Sequence, residues 1–201
     1  MPLYPTPLAQ LIEQLKKLPG VGKKTAERFA FKIIEWPEKE QKKLASTLED
    51  IHKTLVKCPQ CGCFQQEDIC PFCHRTFPSK TLCVIASAKE AYAIEHTKTF
   101  HGYYHVLGCL LSPLEGKTPE HLHLHKLKER ILTLEIEELI LALDPTLEGD
   151  ATSLYLHEFF ASMSLKITRL ALGLPLGSSL DFIDEGTLTQ AFQGRLSFAA
   201  R

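Results

Sequence analysis

The sequence has little of what marks a secreted, membrane-embedded or nucleic-acid-coating chain. No apolar run approaches the length needed to cross a bilayer. Met1 to Gln10 holds three prolines and no basic residue, and no apolar run follows, so no signal peptide is expected. The formal net charge is only -1 over 201 residues, which argues against a strongly basic protein that coats nucleic acid over its whole surface. There is no internal repeat and no low-complexity segment. The G-x-x-x-x-G-K-[ST] frame of a P-loop is complete neither at Gly22 nor at Gly177, so ATP hydrolysis is not expected. What remains is an ordinary globular composition, with 44% hydrophobic and 23% charged residues. That is enough for one large domain or two smaller ones.

The near-neutral total conceals an asymmetry. Residues 1–57 carry 11 Lys+Arg against 7 Asp+Glu, and residues 58–201 carry 12 against 17. A basic N-terminal segment can meet phosphate while the rest stays acidic, although a Lys-rich helical surface alone gives the same count. The hydrophobic pattern predicts a short amphipathic helix over 6–17, with Leu8, Leu11, Ile12 and Leu15 on one face. A second helix is expected over 23–35, with Ala26, Phe29, Ala30, Ile33 and Ile34 inward and Pro37 ending it. A third over 38–56 carries the stripe Leu44, Leu48, Ile51 and Leu55. Trp36, beside Pro37, is expected in the core. Further on, strands are expected at 81–86, 103–107, 138–143 and 165–172, with helices at 88–97, 120–133 and 149–163 between them. Such alternation predicts a mainly parallel, helix-covered sheet.

Four of the seven cysteines form two C-x-x-C pairs, Cys58-Pro-Gln-Cys61 and Cys70-Pro-Phe-Cys73. A C-x-x-C turn lets both sulfurs converge, so two pairs this close can complete a tetrahedral zinc site. Four thiolates leave no position open for water, which makes the expected Zn2+ structural, one per chain. A redox dithiol is the competing reading, and two matched pairs so close together weigh against it. Without a secretion signal, metal is favoured over disulfides and a reducing cytoplasm is the expected setting. Cys83 reads as a small buried hydrophobe and Cys63 as a bystander near the ligands.

Leu18-Pro-Gly-Val-Gly22 lies between two expected helices. Gly20 and Gly22 permit positive φ and close approach of the backbone to a ligand. The following helix presents free N–H groups there, a ready phosphate site, and Lys23, Lys24 and Arg28 add charge. The arrangement matches a helix-hairpin-helix, which grips DNA backbone without reading bases. The competing reading is a plain helix–helix turn.

Taken in order, these motifs carry a resemblance. The hairpin at 18–22, cysteines 58, 61, 70 and 73, Tyr104-His-Val-Leu-Gly108, Leu111-Ser-Pro-Leu-Glu-Gly116, Thr146-Leu-Glu-Gly-Asp-Ala-Thr152, Gly173-Leu-Pro-Leu-Gly177 and Asp184-Glu-Gly-Thr-Leu188 resemble the bacterial RecR recombination mediators over nearly the full chain. The resemblance implies an α+β, multi-module protein. Its parts would be a helix-hairpin-helix DNA-binding region (1–57), a four-cysteine zinc finger (58–79) and a Toprim-like α/β domain (80–172). A C-terminal apolar strap, the Walker-B-like or oligomerisation segment (173–201), would follow. It further implies a homodimer or ring-like homotetramer that encircles DNA and works with RecO, and in some settings RecF, to load RecA on single-stranded or gapped DNA in the cytoplasm, near the nucleoid.

Catalytic Toprim enzymes hold Mg²⁺ with a glutamate after the first strand and a D-x-D after a later one. Here Ala86 stands at the glutamate position, and Asp144-Pro-Thr146 keeps only the first acid. Asp144, Glu148 and Asp150 therefore form a degenerate acidic site, vestigial or a partner contact, and no catalysis is expected. The alternative is an Mg²⁺-dependent Toprim-type nuclease or topoisomerase with rearranged acids; a weaker one is a zinc-stabilised protein scaffold. His121, His123 and His125 alternate in a way that could hold a second metal, and a polar surface is the preferred reading. Leu180, Phe182, Ile183 and Leu188 are expected to pack against a neighbouring subunit.

Overall fold

The first helix, α1 (Thr6–Leu15), places Pro7 in its opening turn, where a missing N–H costs nothing. The computed structural model describes residues 3–77 and 79–197. Two units emerge, Met1–Leu55 and Val56–Arg201. In the first, α1 packs against α2 (Lys23–Ile34) around Ile12, Ala26 and Ala30, with Leu8, Leu11 and Leu15 partly buried against them. Alanines one helical turn apart let the two backbones approach closely. The third helix, α3 (Glu38–Thr54), sends the Gln41 amide to the carbonyls of Ile33, Ile34 and Trp36, at 3.0, 3.2 and 3.1 Å. That side chain closes the end of α2, whose last carbonyls have no partner within the helix.

Several residues expected inside this unit lie outside. Phe29, Ile34 and Trp36 are 39%, 51% and 38% exposed, and Leu48 and Ile51 along α3 are also exposed. The helical period identifies the apolar faces correctly, but a unit this small has too little interior to cover them all.

At the boundary, β1 (Leu55–Lys57) pairs with β2 (Phe64–Gln66) as a two-stranded sheet. α3 thus ends before residue 56, where Leu55 turns extended. The main sheet has strand order β4-β3-β5-β6, formed by β4 (Tyr103–Val106), β3 (Thr81–Ile85), β5 (Glu138–Ala142) and β6 (Lys166–Arg169). Every pairing is parallel, as the alternation predicts. α4 (Ala88–Thr97), α5 (Leu124–Thr133) and α6 (Leu147–Phe160) alternate with the strands. The expected helix over 120–133 is split: a 3-10 turn, Pro119–Leu122, ends at His123, whose φ of +47° opens α5. α7 (Glu185–Gln193), which the hydrophobic pattern did not reveal, starts from Asp184, whose carboxylate accepts the Thr187 N–H at 2.9 Å.

The two-residue period of the strands divides the interior. Leu82 and Val84 on β3, with Leu139 and Leu141 on β5, meet Leu127 and Ile131 of α5 and Leu156 and Phe160 of α6. Cys83, Ile85 and Tyr104 join a second cluster with Ala91 of α4, Phe72 and the cysteines at 58, 61, 63 and 70. The cysteine segment, too short for a core of its own, thus shares that of the sheet. Gly149 sits where any Cβ would lie 1.9 Å from the Asp144 carbonyl oxygen, so the turn into α6 requires glycine.

Candidate functional site

The four sulfurs of Cys58, Cys61, Cys70 and Cys73 all lie within 4.8 Å of one another. Cys58 and Cys73 are 3.9 Å apart at sulfur, and Cys61 and Cys70 are 3.5 Å apart. Four sulfurs at ~2.3 Å from one tetrahedral Zn²⁺ would be separated by about 3.8 Å, so the donor set fits that ion. None of the seven cysteines is in a disulfide. Local backbone geometry makes the cluster: Gly62 takes φ +79°, its N–H bonds the Cys58 carbonyl at 2.9 Å, and the His74 N–H bonds that of Cys70 at 3.1 Å. The Cys61 carbonyl accepts the Val106 N–H at 2.8 Å, fastening the first knuckle to the end of β4. Phe72 meets Tyr92 and Tyr104 edge-on, each at 5.3 Å, and anchors the second pair to the sheet.

In the absence of a cation the thiols of Cys61, Cys70 and Cys73 resist ionisation. Hydrogen bonding with Cys63, then burial, raises Cys61; hydrogen bonding with Cys61, then burial, raises Cys73. Burial raises Cys70. A metal reverses this by stabilising the thiolates directly. Cys63 is buried and offers no ligand atom to the group, but its N–H points to the Cys61 sulfur at 3.4 Å. Cys83 is buried as expected, and burial pushes its thiol up to about 12.

The turn between α1 and α2 is closed by the Val21 N–H on the Leu18 carbonyl at 3.1 Å. Gly20 has φ +77°, as expected. Gly22 does not share it: at φ -77° it is the N-cap of α2, and a Cβ there would meet nothing within 4 Å. Its lack of a side chain leaves this end of α2 open and is not required by the backbone geometry. Lys23, Lys24 and Arg28 are exposed. Among the described residues none of the three has a carboxylate within 4.0 Å. Arg28 lies over the Phe29 ring, 5.6 Å from its centroid.

Family models match three consecutive stretches. The RecR helix-hairpin-helix model covers residues 8–52, the Toprim domain model 80–171 and the RecR C-terminal model 173–196. Recombination protein RecR of Protochlamydia amoebophila is 47% identical over 196 residues, which is 97% of this chain and 99% of that protein. The protein of the same name from Chlamydia pneumoniae is 46% identical over 98% of this chain and 100% of its own length. The chain belongs to the RecR family. It is thus a recombination protein of a family that serves DNA repair, with the helix-hairpin-helix and Toprim modules expected.

In this RecR chain the end of β3 carries no acid. The N–H groups of Ala86 and Ser87 both donate to Glu90 Oε2, at 2.8 and 3.2 Å, and the Ser87 hydroxyl donates to Oε1 at 2.9 Å. This is a capping box, legible in the spacing S-x-x-E. Asp144, Glu148 and Asp150 are exposed and are not drawn together. Among the described residues the four cysteines are the one group of three or more such side chains able to hold an ion. Asp150 pairs with Arg169 at 3.0 Å. His121, His123 and His125 form no such group either: His121 Nδ1 accepts the Thr118 N–H at 3.1 Å, and the rings of His123 and His125 meet edge-on at 6.1 Å.

In the C-terminal segment Leu180 and Phe182 are exposed and Ile183 and Leu188 half-buried; residues 198–201 lie outside the described residues, as do residues 1–2 and 78 of the earlier modules. One side chain of consequence escaped the sequence reading. Arg130, buried on α5, donates from Nη2 to the Cys73 sulfur at 3.4 Å. Its signal was a charge on the apolar stripe of Leu124, Leu127 and Ile131.

Proposed function

We propose that this RecR chain is a non-catalytic, sequence-independent DNA clamp subunit, holding one structural Zn²⁺ at Cys58, Cys61, Cys70 and Cys73. Gly20, Gly22, Lys23, Lys24 and Arg28 contact the DNA backbone. The observation that carries the reading is the turn at 18–22. An open glycine caps α2, with three exposed cations on the opening turns of the helix, which suits phosphate and offers nothing to read a base. Modules at 1–57, 58–79, 80–172 and 173–201 divide the work. The exposed apolar side chains of the last, Leu180 and Phe182 among them, suit packing against another copy in a homodimer or ring-like homotetramer. RecO, and in some settings RecF, are the partners through which the clamp helps RecA onto single-stranded or gapped DNA in the cytoplasm, and Asp144, Glu148 and Asp150 serve as a partner contact. When bound, zinc supplies cross-linking of the two knuckles and no reaction chemistry.

The non-catalytic reading is supported by Ala86, which has no side-chain oxygen to offer where a Toprim enzyme needs a carboxylate, and by the dispersed acids. The test is zinc-replete protein mixed with nicked and supercoiled plasmid in Mg²⁺, run on gels before and after protein removal. Retarded DNA that returns intact is expected. Time-dependent nicking or relaxation that vanishes in Asp144→Ala would refute it.

A further inference from the structure

Arg130 is only 9% exposed, yet it carries a charge that a guanidinium does not lose. Its Nε is buried, with no hydrogen-bond partner among the described residues. Among the described residues no carboxylate lies within 4.0 Å of it. The groups around it make matters worse. His105 is buried, with its Nδ1 also unpartnered, and both Arg130 and Lys126 act on it as cations. A buried charge with no counter-charge is among the costliest features a fold can hold. Among the described residues, the one side-chain hydrogen bond Arg130 makes goes to the Cys73 sulfur. A neutral thiol is a poor acceptor and carries no charge. Four thiolates around one dication carry two negative charges in formal terms, and they sit where this cation needs them.

We propose that Arg130 is the internal counter-cation of the metal–tetrathiolate cluster, a positioning residue that orients Cys73 and ties the cluster to α5. The inference rests on the metal reading above and extends it. Partners of ligand sulfurs tune a metal site much as partners of ligand imidazoles do. The consequence is a linkage. With metal bound, the cluster supplies the counter-charge the guanidinium lacks, and the guanidinium offsets half of the cluster's formal charge; without it, the α/β unit is left with a buried, uncompensated guanidinium. Metal occupancy is therefore coupled to the stability of the sheet through a residue that is not a ligand and lies 57 positions from the cysteine it contacts.

The test compares full-length wild type, Arg130→Met and Arg130→Lys. Zinc affinity is read by competition with a chromophoric chelator, and thermal midpoints are taken with and without zinc. Arg130→Met should bind zinc roughly 10- to 100-fold more weakly. Its metal-free form should be no less stable than metal-free wild type, so the gap between the two midpoints narrows. Arg130→Lys keeps the charge without the planar fork and should fall between the two. In the Co²⁺-substituted protein, losing the N–H···S bond should shift the thiolate-to-metal absorption in the Met variant. Unchanged zinc affinity, or equal destabilisation with and without metal, would mark Arg130 as packing only and overturn the proposal. If Arg130→Met does not fold, the lysine variant decides by the same two readouts. A wild type that holds no zinc at all fails the metal reading itself, visibly and separately, and takes this proposal with it.

Discussion

Replacing Lys23, Lys24 and Arg28 together with alanine removes three exposed cations from the start of α2. None has a carboxylate within 4.0 Å among the described residues, so the full charge of each is available to phosphate. All three are solvent-exposed, and among the described residues the buried ones of this unit are Ile12, Ala26 and Ala30, so the fold should persist. Each cation that neutralises a phosphate releases counterions and contributes about 0.7 (single strand) to 0.9 (duplex) to the slope of log affinity against log salt. Three contacts per engaged subunit thus contribute roughly 2 to 3 units of slope. Between 50 and 200 mM salt, log salt changes by about 0.6, so the wild type should lose roughly 20- to 40-fold more affinity than the variant over that range. Fluorescence anisotropy with labelled single-stranded and gapped DNA across a salt series measures this, with circular dichroism and zinc content as controls for folding. The loss should be uniform across base sequences, since phosphate contacts carry none of that information. Parallel salt slopes for wild type and variant would refute the assignment of these side chains to phosphate, however much the absolute affinity fell.

Three further outcomes follow from the structure. Phe72→Ala, at a ring 3% exposed and edge-on to Tyr92 and Tyr104, should cost about 3–5 kcal/mol in chemical denaturation; a loss below 1 kcal/mol would mean the cysteine segment does not depend on the sheet. Gly149→Ala gains about 1 kcal/mol of helix propensity but forces a Cβ to 1.9 Å from the Asp144 carbonyl oxygen, so net destabilisation is expected in thermal melts, and a stabilised variant would contradict the geometry. Burial, followed by the charges of Arg130 and Lys126, depresses the His105 imidazole to about 4. The unfolded chain then binds a proton that the folded one refuses, so stability should fall as pH drops from about 6.5 towards 4, by at most about 3 kcal/mol. The difference between wild type and His105→Asn across a pH series isolates this contribution from acid release of metal, and parallel curves would show that His105 does not titrate in this way.

The sequence made the α/β half legible because its signals are local and periodic. α4 has the predicted bounds, Ala88–Thr97, because Ser87 and Glu90 form a capping box at its start. The strands at 81, 103 and 138 are short apolar runs between helical patterns, and they pair in parallel as such alternation requires. The break at His123 was not legible, since a single left-handed residue leaves no trace in hydrophobic periodicity. Neither was β2, three residues long and bounded by metal-ligand turns. In the N-terminal unit the period gave the apolar faces but not their exposure: Phe29 and Trp36 read as core and lie partly in solvent. The cysteine spacing announced a metal site because chelation is a local geometric requirement. Arg130 left only the mark of a charge on the apolar stripe of α5; its partner lies 57 residues away, and spacing holds no information at that range.

The end of β3 separates what the fold needs from what chemistry would need. The N–H groups of Ala86 and Ser87 are held by Glu90, and the bonds run through backbone atoms that any residue at 86 would supply. The Leu107 N–H on the Ile85 carbonyl, at 2.9 Å, and the Gly108 N–H on the Ala86 carbonyl, at 3.0 Å, complete the loop, again without a side chain at 86. Ala86 is half-buried and needs no charge partner. An acid at this position would therefore contribute nothing that the loop requires to form, and alanine there leaves the Toprim scaffold intact. What the scaffold positions is a sheet that buries one face of the cysteine cluster, and α5, which brings a guanidinium to Cys73. In this chain the parallel sheet is the structural partner of the four-cysteine cluster, with which Cys83, Ile85 and Tyr104 share one core.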